Sequence, residues 1–215
     1  FSMKEELLSQ ISEFLQKGRA KNVTALVQQA IDEGIPATEI LEKGLLDGMN
    51  IIGEKFKNNE VYVPEVLIAA RAMNAGTTLL KPHLSSSGFK AAGKAVIGTV
   101  KGDLHDIGKN LVRMMMEGKG LEVIDLGTDV APEKFIEAAK NENAQIIALS
   151  ALLTTTMTEM KNVVEAAKEA GIRDQVTIMV GGAPITQSFC DSIGADIYTV
   201  DAASAADAAV AALTA

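Results

Sequence analysis

Apolar residues recur every three or four positions through the first eighty residues, the period of helices that bury one face. Leu7, Leu8, Ile11, Phe14 and Leu15 mark the first helix. Val23 to Ile31 supplies a second, with Thr24, Val27 and Ala30 near one face. Pro36 opens a third, carried by Ile40, Leu41, Leu45, Met49 and Ile52 toward Phe56. Pro64 opens a fourth, because proline suits a first helical turn, and Val66, Leu67, Ala70, Met73 and Leu80 continue it. Four helices joined by short turns predict an antiparallel bundle. Pro82 is expected to end it, and Ser85-Ser86-Ser87-Gly88 reads as a linker.

Beyond that linker the period changes. Apolar runs at Ala95–Val100, Glu122–Asp125, Ile146–Ser150, Thr177–Val180 and Ile197–Val200 predict five strands. Helical stretches follow them at 107–119, 132–142, 156–170, 185–193 and 203–213. Such alternation predicts a parallel, doubly wound sheet. The consecutive apolar residues Ile146 to Leu149 suit a strand buried on both faces. The expected fold is therefore multidomain α and α/β: a four-helix bundle over 3–84, a linker over 85–92, and a Rossmann-like five-stranded parallel sheet domain over 93–215.

Composition narrows the function. The chain has 215 residues, 47% of them hydrophobic, enough for a real core. No apolar stretch reaches the length of a membrane span, about 20 residues. No basic segment followed by an apolar run suggests a secretory signal. The single Cys190 cannot form an internal disulfide, which suits a reducing cytoplasm. The net charge is −8, with no basic block, no Trp and two Tyr, so neither phosphate attraction nor base stacking is supported. The second part carries most of the negative charge, with 11 basic and 17 acidic residues after position 85.

The densest chemistry lies in Gly102-Asp103-Leu104-His105-Asp106-Ile107-Gly108-Lys109-Asn110. It falls between the first predicted strand and its helix, where open α/β sheets bind ligands. His105 is the only histidine of the second part, and Asp103 is near enough in a loop to orient its ring N–H. One histidine is a poor zinc site, since zinc takes three or four protein ligands. A metal already held by a macrocycle needs a single axial ligand. A capped loop histidine without chemistry fits the segment equally well. Asp106 is spaced to pair with Lys109, an ordinary helix-start arrangement. Ser150, Leu152, Thr154 and Thr156 follow the third strand, where the Thr154-Thr155-Thr156 run also suits a helix cap. Gly181-Gly182 follows the fourth, as a turn or as a close approach for a bulky ligand. Neither a Walker loop nor a dinucleotide fingerprint is present at the first strand.

Together these segments resemble the cobalamin-binding family with the Asp-x-His-x-x-Gly signature. The match comprises Asp103, His105 and Gly108, then Ser150-x-Leu152, then Gly181-Gly182, with 41 and 28 residues between the three parts. Gly48-Met49-Asn50-Ile51-Ile52-Gly53-Glu54-Lys55-Phe56 and Val63-Pro64-Glu65 resemble the helical cap of methionine synthase and its corrinoid relatives. No counterpart of the homocysteine, folate or reactivation domains is visible. The chain is therefore most similar to a free-standing corrinoid protein of a multicomponent methyltransferase system in one-carbon metabolism.

That resemblance implies cobalamin or a related corrinoid as cofactor, with its cobalt ligated from below by His105 and with Asp103 holding the imidazole. Asp106, Ile107 and Gly108 would border the ring. Ser150 would contact the nucleotide tail, and Leu152, Thr154 and Thr156 would line that tail or the lower corrin face. Gly181 and Gly182 would leave room for the benzimidazole, and Ala202 is a weaker candidate contact. Phe56, Val63 and Met73 would cover the upper face. The implied function is a methyl carrier: Co(I) accepts a methyl group, and methyl-Co(III) presents it to tetrahydrofolate or a thiol such as coenzyme M. The donor would be a methylamine, methanol, betaine or methoxyaromatic compound, with a mild lean to the last two. The implied partners are a substrate-specific methyltransferase, a second methyltransferase and a corrinoid reductive activase, without nucleic acid or membrane. Turnover would need those partners. The rival readings are a cobalamin-dependent regulator or sensor, an adenosylcobalamin mutase subunit, and a structural module.

Overall fold

The structure, a computed structural model, describes residues 2–86, 88 and 90–214. Ser87 and Phe89 of the expected linker lie outside the described residues. The chain forms two compact units, 1–90 and 91–215.

The first unit is built from four helical rods. They are α1 (Met3–Gln16), α2 (Ala20–Asp32), a continuous rod, and α5 (Val63–Ser86). The continuous rod runs through α3 (Ala37–Glu39), a π-helical segment (Ile40–Leu46) and α4 (Asp47–Lys57). The apolar period alone predicts a plain α-helix there. The wider π turn instead brings Ile40, Leu41, Gly44 and Leu45 all into the core. Gly48 lets α4 approach α1 closely, since a Cβ there would stand 3.0 Å from the Ser12 carbonyl oxygen. Ile11, Leu15, Ile40, Leu45, Met49, Ile52 and Leu80 form the interior.

One boundary departs from expectation. Pro82 does not end α5, which continues to Ser86. A proline removes one N–H and so frees the carbonyl four residues earlier. That residue is Thr78, which lies on the exposed side of the helix, where a freed carbonyl costs least.

The second unit holds β1 (Lys94–Thr99), β2 (Glu122–Asp125), β3 (Ile146–Ser150), β4 (Thr177–Gly181) and β5 (Ile197–Tyr198). They alternate with α6 (Ile107–Gly118), α7 (Pro132–Glu142), α8 (Thr158–Glu169), α9 (Gln187–Ile193) and α10 (Ala202–Thr214). All strands pair in parallel in the order β2-β1-β3-β4-β5. Helices on both faces bury the central strands, which explains their unbroken apolar runs. Phe135 of α7 fills the interior beside Gly98, where a Cβ would come within 2.8 Å of its ring. The edge strand β5 is shorter than its apolar run, because Val200 is exposed. Pro132 starts α7 at its first turn, and Asn143 ends it in the left-handed conformation at φ 54°.

Candidate functional site

β1 and β3 are neighbours, while β2 lies on the outer side of β1. The crossovers leaving them diverge, which opens a crevice at the carboxyl ends of the strands. Register places three segments at that edge: Thr99 pairs with Ser150, and Ser150 pairs with Gly181. The loops after β1, β3 and β4 therefore leave from one row.

The β1–α6 loop carries His105. Its ring Nδ1 lies 2.8 Å from Asp103 Oδ1, and its amide donates to the same oxygen at 3.1 Å. Asp103 is fully buried. Its other oxygen, Oδ2, accepts the Leu152 amide at 2.8 Å, the Leu153 amide at 3.3 Å and the Thr156 hydroxyl at 2.7 Å. Burial alone would raise the pKa of this carboxyl. The Leu152 amide, the Thr156 hydroxyl and His105 outweigh it and hold Asp103 well below the usual carboxylate range. An ionised carboxylate only accepts, so the proton between the two groups sits on Nδ1. In the neutral ring Nε2 then keeps its lone pair. The side chain of His105 is 49% exposed, so that nitrogen is available to a ligand. Thr99, buried at the end of β1, donates its hydroxyl to the His105 carbonyl at 2.7 Å and fixes the loop from below.

Thr156 is neither a helix cap nor an open lining residue. It is buried two residues before α8, 2.7 Å from Asp103 Oδ2 and 3.0 Å from the Leu153 carbonyl. Its single proton serves the stronger acceptor, the carboxylate. Leu152 and Thr154 are exposed at the edge, and Ser150 is half-buried.

Lys109 does not pair with Asp106. Its ammonium, on a side chain only 4% exposed, lies 2.8 Å from both oxygens of Asp125 at the end of β2. The fold brings that strand end beside α6, and Asp106 stays exposed. Gly108, in the first turn of α6, has open space where a Cβ would be.

The two glycines after β4 differ. A Cβ on Gly181 would meet only the Thr199 carbonyl oxygen, at 3.5 Å. A Cβ on Gly182 would stand 1.8 Å from the Ala151 carbonyl oxygen, and the residue has φ 133°. The chain's own backbone demands glycine at 182. Ala202 is buried at the start of α10, and so is not part of an open lining.

Sequence reasoning missed Leu104, Leu153 and Val200, which are exposed together with the expected Ile107 and Leu152; Leu104, Ile107 and Val200 are 73%, 71% and 78% exposed. They follow β1, β3 and β5, where turns are ordinarily polar. That misplaced hydrophobicity is the readable sign of an apolar ligand face. Phe56, Val63 and Met73 belong to the first unit. Phe56 and Val63 are half-buried there, whereas Met73 lies in the bundle core.

The arrangement suits a corrinoid. Among the described residues no group of three or more His, Cys, Asp or Glu side chains is placed to hold a bare metal ion. One outward imidazole nitrogen suits a metal whose remaining ligands come with its macrocycle. The space over Gly108 and the exposed apolar side chains suit a broad, flat ring.

Two family models, each described as a B12 binding domain, match residues 93–211 and 7–81. The chain belongs to the cobalamin-binding corrinoid proteins of methyltransferase systems. The dimethylamine corrinoid protein of Methanosarcina barkeri is 47% identical over 204 residues, covering 94% of this chain and 95% of that one. Trimethylamine corrinoid protein 1 of Methanosarcina acetivorans is 44% identical over 197 residues, 91% of each chain. In the crystal structure of the methanol:cobalamin methyltransferase complex MtaBC from Methanosarcina barkeri, the matching chain superposes with a TM-score of 0.90 at 30% identity. That match covers 97% of this chain and 80% of the other. The cofactor of this corrinoid protein is cobalamin or a close relative, with its cobalt. Among the described residues no helix is long and apolar enough to cross a membrane.

Proposed function

We propose that the protein carries a methyl group from an N-methylated donor, a methylamine or a betaine, to a second methyltransferase that uses a thiol or reduced folate. The observation that carries this reading is the 2.8 Å pairing of His105 with the buried Asp103 beneath an exposed imidazole. When bound, the corrinoid supplies a cobalt centre that takes up and releases a methyl group. The protein supplies the rest. His105 would hold the cobalt through Nε2, and Asp103 fixes the tautomer and orientation of its ring. The Thr156 hydroxyl and the Leu152 amide keep Asp103 anionic. The exposed Leu104, Ile107 and Leu152 would shed water from a bound ring. Ser150 and Gly181 would border the nucleotide tail, beside the backbone turn that Gly182 makes possible.

The amine donor rests on the 44–47% identity to proteins named for dimethylamine and trimethylamine. Betaine shares the methylated cationic nitrogen. The chain would work with a substrate-specific methyltransferase, a second methyltransferase and a reductive activase, in the cytoplasm.

Reconstitution with hydroxocobalamin should load about one cobalt per chain, as a single axial site implies. Electron paramagnetic resonance of the Co(II) form should show nitrogen coupling that His105→Ala abolishes while cobalt content persists. Coupling unchanged in that variant would reject His105 as the ligand. Methylation of the loaded protein with matched partner enzymes and dimethylamine, trimethylamine, betaine or methanol decides the donor, and methanol alone being accepted would overturn the N-methyl reading.

A further inference from the structure

The His105 loop is clasped from a neighbouring crossover by a residue with no assigned role. Asp129, in the β2–α7 loop, accepts the Gly102 amide on Oδ1 at 2.7 Å. Its own amide donates to the Asp103 carbonyl at 2.9 Å. One residue thus grips the main chain on both sides of the Gly102–Asp103 peptide, through its side chain and its backbone. It reaches them from a left-handed conformation, φ 52°, facing Gly102 at φ 83°. Aspartate is one of the few non-glycine residues that take up this conformation readily.

Asp129 is itself anchored. The Val130 amide donates to the Thr99 carbonyl at 3.0 Å, and the Thr99 amide donates to the Gly127 carbonyl at 2.9 Å. These bonds extend the sheet past β1 and tie the 127–130 segment to the strand that launches the His105 loop. The Asp103 amide donates to the Val100 carbonyl at 3.1 Å. The main chain of Asp103 is therefore held at both ends. Its carboxylate is meanwhile drawn toward His105 through one oxygen and toward the β3–α8 loop through the other.

We propose that Asp129 is a positioning residue for the cobalt ligand: by gripping Gly102 and Asp103 it fixes the backbone from which Asp103 aims the His105 imidazole. The proposal rests on the reading of His105 as the axial ligand. A carboxylate can orient a ring only as well as its own backbone is held. Loss of the clasp lets Asp103 and His105 move together, so their mutual hydrogen bond survives while the aim of Nε2 loosens.

Two variants separate the side chain from the fold. Asp129→Gly removes the carboxylate, keeps the amide donor and relieves the backbone. Asp129→Asn keeps an acceptor oxygen and tolerates the left-handed conformation. Each is loaded with hydroxocobalamin beside wild type and His105→Ala, reduced to Co(II), and acidified while the nitrogen coupling is followed. Asp129→Gly should retain wild-type cobalt content but lose coupling at a pH about one unit higher, the tenfold weaker ligation that one lost hydrogen bond sets. Asp129→Asn should behave as wild type. In the cobalt-free protein, exchange of the Gly102 amide should accelerate about tenfold in Asp129→Gly alone. Coupling that survives in His105→Ala would overturn the ligand assignment and this proposal with it. Coupling lost in His105→Ala, with the Asp129→Gly midpoint unmoved or Asp129→Asn equally impaired, would overturn the role of Asp129 alone.

Discussion

The hydroxyl of Thr156 stands 2.7 Å from Asp103 Oδ2, across 53 positions of sequence and within the interior. Thr156→Val keeps the shape and deletes the donor. A buried acceptor left short of a partner costs about 1–3 kcal/mol. The loss also has a pH signature. Asp103 has its folded pKa held below the ordinary carboxylate value near ~3.9. Its contribution to stability is complete above that value and drains away as pH falls toward the depressed folded one. Thr156→Val raises the folded pKa and narrows this window. Unfolding curves of the cobalt-free protein should show the variant less stable by a constant amount from neutral pH down through the ordinary carboxylate range, with the deficit shrinking only in stronger acid, where Asp103 of the variant takes up its proton before that of wild type. A deficit that persists unchanged through that more acidic range would show that Thr156 does not act through Asp103.

The elements of this fold are legible in the sequence because strand burial and helix amphipathicity are local patterns. β2, β3 and α7 fall where their apolar runs place them. His105 with Asp103 is legible because only Leu104 stands between them. Thr156 is not, since its partner lies in another loop and its own sequence suggests a cap. Lys109 misleads for the same reason: Asp106 is near in sequence, Asp125 near in space. Pro82 misleads because proline's penalty depends on whether water reaches the freed carbonyl, which no local pattern states. Asp129 is invisible as a functional residue, because its task is performed by one side-chain oxygen and one amide at a backbone turn.

Gly181 and Gly182 look equivalent in sequence and should separate on substitution. Gly182→Ala forces a methyl group into the Ala151 carbonyl at a positive φ, and should destabilise the cobalt-free protein by about 3 kcal/mol or more. Gly181→Ala adds a methyl group at ordinary contact distance, and should shift stability by less than about 1 kcal/mol. Corrinoid titration of folded Gly181→Ala should nevertheless show weakened binding, because the methyl group narrows the space bordering the tail. Equal stability losses would mean that both glycines serve only the backbone. Undiminished corrinoid affinity in Gly181→Ala would remove that residue from the tail wall.

The Lys109–Asp125 pair pins α6 to the end of β2, and α6 carries Ile107 and Gly108 in its first turn. The two partners differ in burial: Lys109 is almost wholly enclosed, whereas Asp125 retains 28% exposure and has Arg113 at 3.5 Å. Asp125 Oδ1 also accepts the Gly127 amide at 2.9 Å. Removing Asp125 strands an enclosed ammonium, and Asp125→Ala should cost about 3–5 kcal/mol. Lys109→Met replaces the ammonium with an apolar chain of similar length, and leaves Asp125 with water, Arg113 and an amide. It should cost under about 1.5 kcal/mol. Because the penalty of Asp125→Ala comes from the stranded charge, the double variant should recover most of it and approach Lys109→Met alone. Urea unfolding of the four proteins checks this, and additive losses would show that the pair is not the unit that holds α6.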